Sequence, residues 1–228
     1  MTTDVNSLYE KKVTCLNCAK PFKTMKVRSS FCNPVKTDSD FFVYYDKPEN
    51  NPYYYAVSIC PECGFAFTDQ FSNYFSVKAK EQISSQITQQ WQKQNFGLIR
   101  DFPLAVASYK LALYAAELKE EKQLVIAGLS LRLAGLYRAQ NDVEQEKRFL
   151  EIALEHYITA YSQGEPDRMS EPKILYLIGE LSRRVGLYQQ ATLYFSKVVE
   201  HPNRNSDLQS LKLAREQWLE IKEHLANQ

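Results

Sequence analysis

Two Cys-x-x-Cys pairs are the feature that most restricts how this chain can fold. Cys15 and Cys18 form the first pair, and Cys60 and Cys63 form the second. A Cys-x-x-Cys turn directs two thiolates toward one centre, and two such turns supply the four soft ligands that Zn²⁺ accepts in a tetrahedral site. Because four protein thiolates leave no open coordination position, the spacing predicts a structural zinc site.

Other uses of paired cysteines match this sequence less well. A thioredoxin-like redox pair belongs beside a βαβ pattern, which the sequence does not contain. Structural disulfides are typical of secreted chains, and the polar N-terminal segment has no apolar stretch like that of a signal peptide. An iron–sulfur cluster also takes four cysteines, although its common spacings differ, so iron is the alternative metal. We expect the fifth cysteine, Cys32, to serve as a small hydrophobic residue.

The two cysteine turns and the segment between them are unusual for a zinc ribbon. Gly64 follows the second pair and can adopt the left-handed conformation that exposes amides toward sulfur, whereas Ala19 at the matching place is less suited. The gap between the pairs holds 41 residues, against about 15–20 in ordinary ribbons. The aromatic runs at 41–45 and 53–59, separated by a turn-forming loop, predict a β-hairpin inserted in this gap.

Charged and aromatic residues of the insertion have two interpretations each. Arg28 is placed to form an ion pair with Asp38 or Asp40, and the two aspartates with the serine between them indicate a turn. Tyrosines 53–55 provide either a stacking platform or the core of a module that has few aliphatic residues. We favour the core, because aromatic rings bury a large area.

Composition changes near residue 75 and divides the chain of 228 residues. All five cysteines precede this point, and beyond it the chain is rich in helix-forming residues. We therefore predict a zinc-ribbon-like metal-binding module over 1–75 and a helical domain over 76–228. The expected fold class is α+β, mostly α: a small β-rich module followed by an α-helical array of hairpins like those of tetratricopeptide (TPR) repeats.

Charge argues against a nucleic-acid partner. The chain has a net charge of +1, and residues 1–75 carry eight basic and eight acidic side chains. A nucleic-acid-binding domain is usually strongly basic. A nucleic-acid-associated zinc-ribbon regulator, in which the tyrosines stack on bases, is nevertheless the second hypothesis for function.

The second half has the period of amphipathic helices and an internal repeat. Residues 172–203 match the TPR pattern, with Gly179, Ala191 and Phe195 at the positions where two paired helices approach closely. The preceding copy is weaker, because Glu146 replaces a small residue. Asp101 and Ser206 are the expected N-caps of the first and last helices. The predicted helices cover 103–118, 124–139, 143–161, 173–185, 188–200 and 207–225.

The repeat register predicts a binding surface. In such repeats the first helix of each pair lines a concave face, and a cationic and aromatic set projects toward that face. Its arginines can bind a carboxylate through bidentate hydrogen bonds, or they are solvated or paired within the chain. The first reading predicts a groove for a protein or peptide partner. The candidate groove residues are Arg138, Lys173, Tyr176, Arg183 and Arg184.

No motif for catalysis or for membrane insertion is present. The sequence has no Gly-rich phosphate loop, no G-x-S-x-G and no paired metal-ligand histidines, and it has no run of 18 apolar residues. No catalytic residue is therefore assigned. We expect a cytoplasmic scaffold or adaptor that is not an enzyme, and a thiol redox protein or enzyme is a third hypothesis.

The order of several short segments resembles one known family. The segments TCLNC, KVRSS, DSDFF, CPECGFAF, SYKLALYAAELK, LRLAGLYR, LYLIGELSRRVG and AREQW together resemble the bacterial domain-of-unknown-function family 2225, over roughly residues 10–222. The resemblance implies a zinc-ribbon-like module joined to TPR-like helices, with metal ligands at Cys15, Cys18, Cys60 and Cys63. It implies no catalytic residue, substrate or partner. Ala19 departs from the glycine that is common after the first pair in such modules.

Overall fold

The computed structural model of the chain describes residues 6–164 and 169–226. Within them helices predominate and the strands form small two-stranded antiparallel sheets, which confirms the predicted α+β, mostly α class. The chain divides into two compact units. The first unit contains residues 1–37 and 43–121, and the second contains Asp38–Phe42 together with residues 122–228.

The described part of the first unit contains three antiparallel strand pairs. Strands β1 and β2 form the longest ladder, which runs from Leu8 opposite Val27 to Thr14 opposite Pro21. Strand β3 pairs with β4, and β5 pairs with β6. The strands are β1 (Leu8–Thr14), β2 (Pro21–Val27), β3 (Pro34–Thr37), β4 (Val43–Tyr45), β5 (Ser58–Ile59) and β6 (Ala66–Phe67).

The predicted hairpin between residues 41–45 and 53–59 is wrong. Strand β4 pairs with β3 instead, and Pro52–Tyr55 forms a 3-10 helix. The Asn51 side chain accepts a hydrogen bond from the Tyr53 amide and Pro52 follows it, so a capped helical turn replaces the strand. Tyr54 and Tyr55 are buried, in agreement with the core interpretation, so neither of these two rings is accessible to a nucleic-acid base.

Two helices belong to the first unit. Helix α1 (Val77–Gln86) begins at the cap Ser76, and helix α2 (Phe102–Lys119) begins at Asp101, whose side chain accepts from the Leu104 amide as predicted. Helix α2 packs against β6 and the Pro52–Tyr55 turn. Because this packing ties the two helices to the strands, the units divide after residue 121, whereas the sequence places the boundary after residue 75.

Five further helices lie in the second unit among the residues that the structure describes. Sequential helices contact one another, and the three-residue connection after α5 makes α5 and α6 antiparallel. The last helix is capped by Asp207, which accepts from the Ser210 amide, and the expectation of Ser206 is wrong. The helices are α3 (Gln123–Arg138), α4 (Val143–Gln163), α5 (Glu171–Arg184), α6 (Tyr188–Glu200) and α7 (Leu208–Ala226).

The core of the second unit is built where small residues let helices approach. The Phe195 ring lies over Gly179, where an added Cβ would come within 2.7 Å of it, and Phe195 and Ala191 are fully buried. These are the contacts expected at the close approach of a helix pair. None of the described helices is long and apolar enough to cross a membrane.

The segment Asp38–Phe42, which we call the tip segment, joins β3 to β4 but packs within the second unit. Its backbone turns back on itself: the Phe41 amide donates to the Asp38 carbonyl, and the Asp38 amide donates to the Phe42 carbonyl. The predicted turn is therefore present. Its predicted ion-pair partner is wrong, since Arg28 donates to the Asn6 carbonyl and both aspartates pair with Arg138.

Candidate functional site

Each Cys-x-x-Cys pair lies in the turn of a β-hairpin. The first pair follows the end of β1 and precedes β2, and the second pair lies between β5 and β6. In both turns the amide of the residue after the second cysteine donates to the carbonyl of the first cysteine, at 3.0 Å for Ala19 and 2.9 Å for Gly64. The two turns therefore have the same local structure.

Ala19 and Gly64 both adopt the left-handed conformation, with φ of 58° and 72°. Glycine enters this region without steric cost, whereas alanine pays about 1 kcal/mol or more. Ala19 is thus less well suited, as expected from sequence, yet it forms the same turn. Gly64 has a further role, because an added Cβ would come within 2.5 Å of the Trp91 ring.

The four thiols of the two pairs converge. Their sulfur atoms all lie within 4.8 Å of one another and could hold a metal ion. The Sγ of Cys15 is 3.6 Å from that of Cys63, and the Sγ of Cys18 is 3.6 Å from that of Cys60. A tetrahedral ion with Zn–S bonds of 2.3 Å holds its sulfurs about 3.8 Å apart, so the arrangement fits a four-thiolate site. Cys32 lies outside this cluster.

Hydrogen bonds and burial shift the pKa values of the clustered thiols in different directions. The bond from Cys15 lowers the pKa of Cys63 to about 5, although burial opposes this shift. The same bond, together with burial, raises the pKa of Cys15. Burial raises the pKa of Cys60 to about 11. The Cys63 thiolate is therefore available at neutral pH, and a metal ion must displace the protons of Cys15 and Cys60.

Residues around the cluster orient the cysteine turns. The Asn17 side-chain amide donates to the Cys63 sulfur at 3.7 Å, and the Lys80 ammonium donates to the Asn17 carbonyl and side-chain oxygens at 2.8 and 3.0 Å. On the second turn, the Trp91 indole donates to the Pro61 carbonyl at 2.9 Å. Such outer contacts fix the positions of metal ligands. Sequence reasoning missed them, since Asn17, Lys80 and Trp91 belong to no motif.

The predicted groove residues lie around the tip segment. Arg138 of α3 donates to Asp38 at 2.8 Å and to Asp40 at 2.5 and 3.2 Å. A third carboxylate, that of Glu146, accepts from the Arg138 Nε at 2.5 Å. Burial alone would lower the pKa of Arg138, but Asp40 and Glu146 raise it above its ordinary value. Arg138 is therefore held as a cation among three carboxylates.

Helix α5 contacts the middle of the tip segment. The Tyr176 hydroxyl donates to the Ser39 carbonyl at 2.6 Å, and Arg184 donates to the Ser39 hydroxyl at 3.0 Å. The Ser39 hydroxyl donates in turn to Glu180 at 2.6 Å. Glu180 is fully buried and also accepts from Arg183 at two distances of 2.9 Å. Helix α5 thus forms hydrogen bonds with both the backbone and the side chain of Ser39 in the tip segment.

The two phenylalanines of the tip segment occupy different surroundings. The Phe41 ring lies 5.5 Å from the Tyr176 ring and has the Lys173 ammonium 4.6 Å above it. Phe42 is buried over Gly135, where an added Cβ would come within 2.0 Å of the ring. Phe41 has a φ of 66°, a left-handed conformation that costs a bulky residue about 1–2 kcal/mol. The surrounding contacts compensate for this strain.

Four of the five candidate groove residues contact this one short segment, and Arg183 pairs with Glu180, which accepts from the Ser39 hydroxyl. Arg138, Arg183 and Arg184 are each paired within the chain, which is the alternative that the sequence left open. Their neighbour, the tip segment, was not predicted. The charges of Asp38 and Asp40 were the available signal, since they are opposite to those of the arginines. The binding of a separate partner at this surface stays a prediction.

The fold and site define a chain that combines a four-cysteine centre, suited to a metal ion, with a unit of packed helices. The chain belongs to the family described as uncharacterized protein conserved in bacteria (DUF2225), whose model matches residues 8–221. This match confirms the resemblance drawn from the short segments. No curated protein and no solved structure matched the chain.

Proposed function

We propose that this protein is a cytoplasmic scaffold or adaptor that binds a protein or peptide partner on TPR-like helices and holds a structural zinc ion in its first unit. One observation carries the proposal. Side chains from α3 and α5 contact a five-residue stretch of polypeptide through its backbone, its carboxylates and its rings. A surface that binds one peptide segment in this manner has the chemistry to bind another.

The donor set supports zinc at the four-cysteine centre. Four thiolates with sulfurs at tetrahedral spacing suit Zn²⁺, and a closed coordination shell suits a structural role. Two of the three described strand pairs of the first unit are short, since β3 and β4 have four and three residues and β5 and β6 have two each. A metal ion that joins two hairpin turns supplies the cross-link that such strands lack.

Elemental analysis of the purified chain tests the metal. We expect about one zinc ion per chain, and we expect its loss from the Cys60→Ser, Cys63→Ser variant. The Cys32→Ser variant is the matched control, since Cys32 lies outside the cluster, and it should retain the metal. Iron in place of zinc, or a folded chain without metal, would contradict the zinc proposal.

Affinity purification from the native host tests the partner. The wild-type chain and an Arg183→Ala, Arg184→Ala variant are compared after circular dichroism has shown that both are folded. Arg148→Ala is the matched control, because Arg148 lies on the exposed part of α4. We expect a partner that the wild type and the control retain and the double variant loses. Equal recovery by all three chains would rule out this surface as the binding site.

A further inference from the structure

The tip segment and the helix surface beneath it are complementary in charge. The helices contribute four cations, Arg138, Lys173, Arg183 and Arg184, and two carboxylates, Glu146 and Glu180. Glu220 of α7 adds a third carboxylate that acts on Arg183, so four positive charges face three negative ones on the helices. Asp38 and Asp40 of the tip segment both pair with Arg138. Any other occupant must bring a carboxylate to Arg138, since a part-buried arginine that loses its acidic partners is costly.

The surface also selects for aromatic residues in a fixed position. Absence of a side chain at Gly135 creates the space that the Phe42 ring fills. The Phe41 ring is held between the Tyr176 ring and the Lys173 ammonium. Both ring sites lie beside the cations of α3 and α5. The surface therefore favours one short segment that contains acidic and aromatic residues together.

We propose that this surface recognises segments of partner proteins in which two acidic residues flank a serine and two phenylalanines follow, and that the tip segment occupies it as an internal competitor. The inference rests on the proposed scaffold function and names the partner chemistry. A partner segment replaces the tip and makes the same contacts. A free peptide, unlike the tip, is not held at both ends by the two strands that flank residues 38–42.

A labelled peptide with the sequence of residues 36–44, KTDSDFFVY, tests the proposal by fluorescence anisotropy on the full chain. The wild type is compared with an Asp38→Asn, Asp40→Asn variant whose tip is a weaker competitor. Because a tethered segment competes at millimolar effective concentration, we expect the peptide to bind the variant at least about tenfold more tightly than the wild type. The affinity should fall as salt is added.

Two controls establish that recognition has the stated chemistry. The same peptide with both aspartates changed to asparagine should lose most of its affinity for the variant chain. Adding Arg138→Ala to the variant chain should abolish binding of the original peptide, since Arg138 contacts both aspartates. Equal binding of the two peptides, or equal binding to wild type and variant, would overturn the proposal.

A second measurement covers the case in which the aspartate variant does not fold. The wild-type chain is mixed with about 1 mM of the peptide, which carries a photoreactive benzophenone in place of its first phenylalanine, because the corresponding Phe41 is less buried than Phe42. Mass spectrometry should then locate the cross-links in α3 and α5. Cross-links confined to other elements, or none, would overturn the proposal.

The outcomes separate this inference from the scaffold proposal. If the host partner depends on Arg183 and Arg184 but the peptide does not bind, the scaffold function stands and the acidic and aromatic motif is wrong. If light scattering shows that the aspartate variant dimerises and excludes the peptide, a second copy of the chain is the occupant, and the inference is wrong in that respect as well.

Discussion

The ring of Phe42 lies over the backbone of Gly135, where an added Cβ would come within 2.0 Å of the ring carbon Cδ2. The two residues are far apart in sequence, in the segments DSDFF and LRLAGLYR, and no local pattern pairs them. Their contact fixes the tip segment on α3, because the buried ring can pack at this depth only where the helix has no side chain.

The Gly135–Phe42 contact predicts that Gly135→Ala lowers stability when the Phe42 ring is present and raises it when the ring is removed. In the wild type, Gly135→Ala should destabilise the second unit by roughly 1–3 kcal/mol, since the new methyl overlaps the ring. In a Phe42→Ala background the same change should stabilise it by about 0.5–1 kcal/mol, because alanine is the better helix former. Urea unfolding of the four chains of this cycle measures both values. Additive effects would show that the two residues are not coupled.

Asn17 is predicted to tighten metal binding without being a ligand. Its amide donates to the Cys63 sulfur, so Asn17→Ala should weaken metal affinity by roughly 10–100-fold. Competition with a chromophoric chelator provides the measurement. Lys20→Ala is the control on the same turn, since Lys20 is exposed and pairs with Glu62, and its affinity should match that of the wild type. A similar loss in both variants would indicate a general disturbance of the turn.

Arg100 is predicted to stabilise the first unit through its forked guanidinium. The side chain is buried and donates to the carbonyls of Phe96, Tyr54 and Val57 at 2.8–3.1 Å. Burial lowers its pKa to about 10, so it is still a cation at neutral pH. A lysine has the same charge but lacks the forked arrangement of N–H donors. Arg100→Lys should therefore lower the free energy of unfolding by about 2–4 kcal/mol. Arg204→Lys, on the exposed surface, should leave the urea midpoint unchanged, and equal midpoints for both variants would contradict the prediction.

The burial of Lys26 predicts that the free energy of unfolding changes at alkaline pH. Burial lowers its pKa from 10.5 to about 8, while its ammonium donates to the Tyr55 carbonyl at 2.5 Å. Between pH 8 and 10.5 the unfolded chain therefore binds more protons at this site than the folded chain. The free energy of unfolding contributed by Lys26 must then rise with pH in this window, and it is constant below it.

Comparison with Lys26→Met isolates this contribution. The stability of the wild type relative to the variant should rise by roughly 1–2 kcal/mol from pH 7.5 to pH 10, after allowance for partial solvent exposure. Urea midpoints at the two pH values measure it. Lys23→Met on the same strand is the control, since Lys23 is 60% exposed. A pH-independent difference between wild type and Lys26→Met would contradict the assignment.

Local patterns predicted the elements whose stabilising contacts are close in sequence. Helix α6 has the predicted bounds of 188–200, because its periodicity and its flanking turn lie within the segment itself. The tyrosines at 53–55 show where local patterns fail. Their β-forming side chains predict a strand, but a capping asparagine and a proline precede them and begin a helical turn. The compact units divide after residue 121 because of the packing of α2 against β6 and the Pro52–Tyr55 turn, which composition does not record.

The sequence by itself determined the four thiols and six of the seven described helices, because ligand type, turn spacing and amphipathic period are properties of short segments. Helix α1 (Val77–Gln86) is not among the predicted helices. The structure decided what faces the arginines of α3 and α5. Arg138 and Asp40 are 98 residues apart, and Ser39 and Glu180 are 141 apart. Such contacts form only when burial of the Phe42 ring and balance of charge bring distant segments together, and no local pattern encodes them.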